Sequence, residues 1–586
     1  MKLKLYTLTP LHIGTGEELA PLNYIFLKKN GTFYRLSHRQ IIAFVNSLPN
    51  GIDNFSNWIG KKYLDLKQTK NNLELSDIDK EINLFDFANS LGRQNVLFSY
   101  LEEYKSDLSS AKVSIDSWTR NRYNRNNIYP LGRIREAIKN HTQQPIVPGT
   151  SIKGAIRTAI FHHVLSNHLP RKKFMSLVKN QLNNSRVTRE RFALPIIHEI
   201  FYCGVLEDGE REAKLEDEKM DLFKLVRVSD GQQRALDNAM SFAKINLYLV
   251  EKKRARDRSK TYFEATQQRQ TSYAEVISPG QAIHFELDFD IDFLVCLKPL
   301  LSDDGVRQGG QYVWVGLRQK VQHLFGLDLA TLTWENKEEK RQEVLQFLLD
   351  KVQAFSQAQL QASQSWLEHF QENDKNDRYS TSIRQGFDPV LAYTQQPLVH
   401  LGYATGFDGM TALLYILQTN HQALFKRVME QFNIGNKPGN RGKYIANPDR
   451  FPKSKRLVEL KNQIAPLGWA IILDAQAPAP APATTETATT TAATARTLQP
   501  ELAPKALEPE YFTGKVNYKK PPLLDAVVIK SGRPNTVKVY WTEENSPEMK
   551  LDGYRNPLEV GKILKVKTVF TRKIELRQVS YGGRKR

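Results

Sequence analysis

Cysteine is nearly absent: 586 residues hold two, Cys203 and Cys296. No CxxC pair occurs, so thiolates cannot assemble a zinc finger or ribbon. Two isolated thiols also exclude a disulfide framework and fit a reducing cytoplasm. No apolar run approaches the roughly 18 residues that a bilayer span needs. The opening MKLKLYTLTP alternates lysine with apolar residues and lacks the apolar core of a signal peptide. HExxH, GxxxxGK[ST] and GxSxG are missing, so a zincin, a P-loop NTPase and a hydrolase elbow are excluded. Acidic residues are in deficit, 63 against 83 Lys and Arg, which leaves a formal charge of +20. That surplus points to a polyanion, nucleic acid ahead of an anionic membrane.

What is present is an ordinary globular composition, 40% hydrophobic and 25% charged. At about 150 residues per domain the length allows roughly four folding units. The clearest boundary is the Ala/Pro/Thr-rich stretch 475–510, read as a semi-extended linker with little apolar surface to bury. It separates a body, 1–474, from a tail, 511–586. The tail alternates apolar and polar residues at 525–530, 536–541, 561–570 and 573–579 around glycine and proline turns. That pattern predicts a small β-barrel of OB or S1 type. It holds 17 Lys/Arg against 7 Asp/Glu, half of the net charge, and RNA contact by it stands beside a merely solubilising role.

The body mixes the two periodicities. Leu3, Leu5 and Leu8 predict an opening strand, and Ser37 a cap for a helix carrying Ile41, Ile42, Val45 and Leu48. Further strands are expected at 226–230, 245–250, 282–289 and 467–473, and helices at 337–372 and 410–432. The body is therefore α+β or α/β.

Five segments could carry chemistry. The sharpest is PGTSIKGAIRT at 148–158. Thr150 or Ser151 could cap the helix that follows, whose free amides would attract phosphate. Lys153 and Arg157, four apart and opposed to the stripe Ile152, Ala155, Ile156, Ala159, Ile160, complete a cradle for a nucleic-acid backbone. An ordinary capped helix with solvated cations accounts equally well for these residues. His12 to Glu18 reads as a loop, where Gly14 and Gly16 allow close approach by a ligand or simply make a turn. Trp118 to Asn127, with Arg120, Arg122 and Arg125 and then Arg133 and Arg135, interleaves cations with aromatics as stacked bases require, or forms a charged loop. The basic run 252–260 reads as another groove wall or only as a flexible exposed loop. Of the glycine segments 402–409, which precedes a helix, and 436–443, the second, with Lys437, Arg441 and Lys443, again suits phosphate. Catalytic signals are poor. His162, His163 and His168 share a helix without completing a metal site, and Asp230 is a lone carboxylate after a strand.

These residues resemble a known family. LTPLHIGTGEEL at 8–19, PLNY at 21–24, FYRL at 33–36, VPGTSIKGAIRTA at 147–159, LGYATG at 401–406 and PLGW at 466–469 occur in the order seen in the fifth subunits of type III-A CRISPR Csm complexes. Those are Cas7-like members of the RAMP superfamily that cap the guide RNA 3′ end. The resemblance implies an α+β fold of ferredoxin-like (RRM-type) units with helical insertions, and a non-catalytic role with no metal or cofactor. Implied partners are crRNA, the Cas7-like backbone and small subunits of the complex, and host nucleases admitted for guide maturation in antiviral defence. By position, Gly149, Thr150, Ser151, Lys153, Gly154 and Arg157 would face RNA, with His12, Gly14 and Gly16 beside them. The linker and tail exceed the family's usual length. The rival expectation is a RAMP endoribonuclease, with His12 or Asp230 as first suspects.

Overall fold

The computed structural model describes residues 1–27, 32–69, 74, 78–79, 81–103, 110–112, 133–141, 144–233, 240–254, 261–368, 379–406, 409, 412–418, 422–432, 434, 454–460 and 463–480, and five strands beyond 522. Two compact units result, Met1–Thr491 and Ala492–Arg586. Arg120, Arg122, Arg125, Lys437, Arg441 and Lys443 lie outside the described residues, as do 481–510 of the expected linker and 511–522 of the expected tail.

The first unit is built on two large sheets, beside two three-stranded ones. The strands of the large sheets in chain order are β1 (Lys2–Thr7), β2 (Gly14–Leu19), β3 (Ile134–Ala137), β4 (Ile146–Val147), β5 (Val226–Val228), β6 (Gly231–Gln233), β7 (Met240–Arg254), β8 (Thr261–Ile277), β9 (Ala282–Phe289), β10 (Leu398–His400), β11 (Ser454–Glu459), β12 (Ile464–Ala465) and β13 (Trp469–Asp474). The first sheet runs β10-β13-β1-β9-β6-β4, with β5 on the far end of β9. Leu5 stands opposite Ile283 on one side and Ile472 on the other. The second sheet runs β12-β11-β7-β8-β3-β2, so β2 is an edge strand.

The helices used below are α1 (His38–Asn46), α2 (Gly149–Asn167), α3 (Leu194–Phe201), α4 (Leu317–Phe325), α5 (Lys337–Glu368), α6 (Leu413–Gln418) and α7 (Gln422–Gln431). Ser37 caps α1 through a reciprocal box with Gln40. Ile152, Ile156, Ala159 and Ile160 of α2 are buried in one cluster with Leu345, Leu348 and Val352 of α5 and with Leu3, Leu5 and Phe285 of the sheet. Each such aliphatic side chain contributes roughly 1.5–3 kcal/mol relative to exposure. Numbered among themselves, β1, β6, β9 and β13 stand in the order 4-1-3-2, with α2 between the first and second and α5 between the third and fourth. The region 410–432, read from sequence as one helix, contains two, α6 and α7.

β7 and β8 form a long antiparallel hairpin inserted between β6 and β9. β11 pairs with β7 only from Lys244 to Leu249, whereas β8 continues to pair with it as far as Arg254. The basic run therefore begins on a two-stranded ribbon; 255–260 lie outside the described residues.

The second unit is a closed barrel of β14 (Leu523–Lys530), β15 (Thr536–Tyr540), β16 (Glu548–Asp552), β17 (Ile563–Phe570) and β18 (Leu576–Tyr581), in the order β14-β15-β16-β18-β17. β17 closes onto β14, and β16 runs parallel to β18.

Candidate nucleic-acid interface

α2 begins at Gly149 because Pro148 has no amide proton to lose and ends the preceding extended segment. Neither Thr150 nor Ser151 caps it, contrary to the sequence expectation. The Gly149 amide instead donates to Asp230 Oδ1 at 2.7 Å. A Cβ on Gly149 would lie 2.3 Å from the Val228 carbonyl oxygen, so this buried position requires glycine for packing rather than for a ligand. The anion expected at the helix start is thus supplied in part by the protein's own carboxylate.

Arg157 is also more engaged than its spacing implied. Its Nη1 pairs with Asp221 Oδ2 at 2.8 Å, and its guanidinium lies over Phe201 at 4.0 Å and Phe223 at 5.4 Å. Those rings come from α3 and from the 222–225 turn, so the basic face of α2 is partly covered and does not simply oppose the apolar stripe. Lys153 lies over Phe223 at 5.9 Å, and partial burial lowers its pKa, with Asp221 opposing that effect. Thr150 and Gly154 are exposed, and Ser151 is half-buried. A Cβ on Gly154 would meet nothing within 4 Å. Glycine inside a helix costs about 0.5–1 kcal/mol relative to alanine, and no contact among the described residues accounts for it here. Thr150 and Gly154 are thus exposed beside the half-buried Lys153.

His12 is not on the surface. It is 2% exposed, and its Nδ1 lies 2.7 Å from the Glu275 carbonyl oxygen. Burial lowers its pKa, which disfavours the charged form. A Cβ on Gly14 would come within 2.9 Å of His12 Nε2, and one on Gly402 within 2.1 Å of its carbonyl oxygen. That oxygen also accepts the Tyr403 amide at 2.8 Å. His12 therefore ties β2, β8 and the 402–404 turn together from beneath. The expected loop around Gly14 and Gly16 is the edge strand β2, exposed from Gly14 to Glu18 and interrupted by a register shift against β3. Gly16, with φ +95° and open surroundings, is the position there that a side chain would strain.

Sequence reasoning missed one cationic pair. Arg135 and Arg456 lie over the Tyr403 ring at 4.7 and 5.3 Å. The fold joins them from β3 and β11, and no local pattern links the three. Under them, Glu275, buried at 2% exposure, accepts the Ala137 amide at 3.0 Å and pairs with Lys139. Desolvation lowers the Lys139 pKa against the pull of Glu275.

His168 stacks on His323 at 4.1 Å, and His163 stands 5.1 Å from His168. Among the described residues, no group of three or more His, Cys, Asp or Glu is placed to hold a metal, and no helix is long and apolar enough to cross a membrane. Asp230 lines an open cavity of about 450 Å³ with Lys2, Gln232, His284 and Glu286.

A family model described as RAMPs, the RAMP superfamily, matches residues 4–353. The chain is similar to a chain of the cryo-EM Csm-crRNA-target RNA ternary complex of a type III-A CRISPR-Cas system. The identity is 19% and the TM-score 0.45, over 81% of this chain and 100% of that one. It is also similar to the crystal structure of T.onnurineus Csm5, at 18% identity and TM-score 0.40, over 80% of this chain and 99% of that one. No curated protein is significantly similar to it.

Proposed function

This chain belongs to the RAMP superfamily, and from that membership we propose that it is a non-catalytic RNA-binding subunit of a type III-A CRISPR (Csm) complex. In this reading it caps the backbone filament at the crRNA 3′ end and supports crRNA maturation. The six motifs between Leu8 and Trp469 favour this subunit within the superfamily. The 4-1-3-2 order of β1, β6, β9 and β13, with α2 and α5 as crossovers, supports a ferredoxin-like unit.

The observation that carries the reading is the exposure of Thr150 and Gly154 beside the half-buried Lys153 at the start of α2. A helix start with cationic neighbours and no side chain at Gly154 lets a sugar-phosphate strand approach closely. What weighs against cleavage by His12 or Asp230 is their engagement: His12 is buried beneath Gly14 and Gly402, and Asp230 holds the Gly149 amide.

The test is titration of single-stranded guide RNA across a salt series, with duplex DNA as competitor. Binding should weaken with a log–log slope near −0.7 per phosphate neutralised. No RNA binding at low salt, together with absence from guide-containing particles, rejects the proposal. Specific cleavage of labelled guide precursor, abolished by Asp230→Ala or His12→Ala, replaces it with the nuclease reading.

A further inference from the structure

The barrel lies outside the residues matched to the superfamily, and the proposed cap does not use it. Its five strands close in the order 1-2-3-5-4, with the third parallel to the fifth. This is the Greek-key barrel of the OB type, in which the face of strands 2 and 3 and the 1-2 and 4-5 connections meet oligonucleotides. We propose that the face of β15 and β16 is a second site for single-stranded RNA, joined to the body by the chain 475–522. The binding face is argued from the barrel alone; that its ligand is RNA rests on the reading of the body.

The register assigns the residues. Val537 is opposite Met549, and Val528 opposite Val537, so these apolar residues share one parity. Thr536 opposite Lys550, and Lys538 opposite Glu548, share the other. A closed barrel fills its interior from one parity, which leaves Thr536, Lys538, Tyr540, Glu548, Lys550 and Asp552 at outer register positions on strands 2 and 3. Cations for phosphate and an aromatic for base stacking are what sequence-tolerant strand binding needs. The charge of the connections is distributed to match. The 1-2 connection contains Arg533 and the 4-5 connection Arg572, Lys573 and Glu575, whereas the 2-3 connection contains Glu543 and Glu544 and no cation.

The experiment uses the full chain and a 4-thiouridine-substituted single-stranded RNA. Photocrosslinked peptides are mapped in the unsubstituted chain and in Lys153→Ala, and affinity is measured for Lys538→Gln/Lys550→Gln. Crosslinks within 536–552 that persist in Lys153→Ala are expected. The double variant should lose about tenfold in affinity, and its salt slope should shrink by about 1.4, two phosphates' worth. Because the crosslinks are mapped without altering the barrel, a misfolded variant does not decide the outcome. Crosslinks confined to the body overturn the proposal, as does preference of the 536–552 peptides for duplex DNA. Loss of body crosslinks in Lys153→Ala with tail crosslinks retained upholds this site whatever becomes of the cap.

Discussion

The Gly149 amide and the Asp230 carboxylate, 81 residues apart, meet at 2.7 Å and close the start of α2. Asp230 is therefore both a cap and a competitor for any anion arriving there. Asp230→Asn keeps the acceptor and removes the charge. Stability should fall by about 1 kcal/mol or less, within the usual range for a cap. RNA affinity at low salt should rise about two- to fivefold, matching 0.3–1 kcal/mol of helix-end electrostatics. Urea midpoints and a filter-binding titration measure the two effects. A fall in affinity would mean that Asp230 assists binding.

Two glycines five residues apart should respond oppositely to alanine. At Gly149 the added carbon meets the Val228 carbonyl oxygen at 2.3 Å, and about 1–3 kcal/mol of stability should be lost. At Gly154 it meets open space, and about 0.5–1 kcal/mol should be gained. Gly154→Glu should preserve the fold and weaken RNA binding by about tenfold, which is 1.4 kcal/mol. Circular dichroism melts and RNA titrations of the three variants test the set. Unchanged RNA affinity in Gly154→Glu would remove this surface from the interface.

Lys153 and Arg157 should also separate. Arg157→Ala removes the pair with Asp221 and the guanidinium over Phe201, and should cost about 1–3 kcal/mol of stability. Lys153→Ala, which breaks no ion pair among the described residues, should leave the melting midpoint nearly unchanged. It should reduce the RNA salt slope by about 0.7. Equal destabilisation by both would show that Lys153 is a packing residue.

Acid should destabilise the α2–α5 region through His163. Burial first, then the Lys351 charge and the neighbouring histidines, holds its pKa at about 4 against an ordinary 6.5. Between those values the unfolded chain binds a proton that the folded chain refuses, so stability is lost as pH falls from 6.5 to 4. The full shift corresponds to about 3 kcal/mol, and screening at a half-exposed site reduces this to about 1–2 kcal/mol. His163→Gln should flatten the difference between urea midpoints at pH 7 and pH 4.5. An unaltered difference assigns the acid sensitivity to other groups.

Much of this was legible in the sequence where one periodicity governs a segment. The apolar stripe of α2, the Ser37 cap and the strand Ala282–Phe289 follow from local spacing. The Glu548–Asp552 strand was missed because three of its five residues are charged, and barrel closure rather than propensity makes it a strand. The proposed surface was half legible. The motif at 148–158 contains it, but the groups that engage Gly149 and Arg157 are Asp230 and Asp221, and no sequence window contains both sides of either contact. His12 was misplaced for a related reason. A histidine just ahead of Gly14 and Gly16 reads as part of a ligand loop, yet Gly14 and the distant Gly402 pack against it.

The position of β1 between β9 and β13 has a consequence for biosynthesis. β1 acquires one neighbour at residues 282–289 and the other at 469–474. At 5–20 residues per second, the second arrives roughly 25–95 s after the first strand was made. For that interval the edge of β1 that β13 covers has no lasting mate. A message broken before codon 469 yields a product missing β13, and with it the attachment of β10 to the sheet.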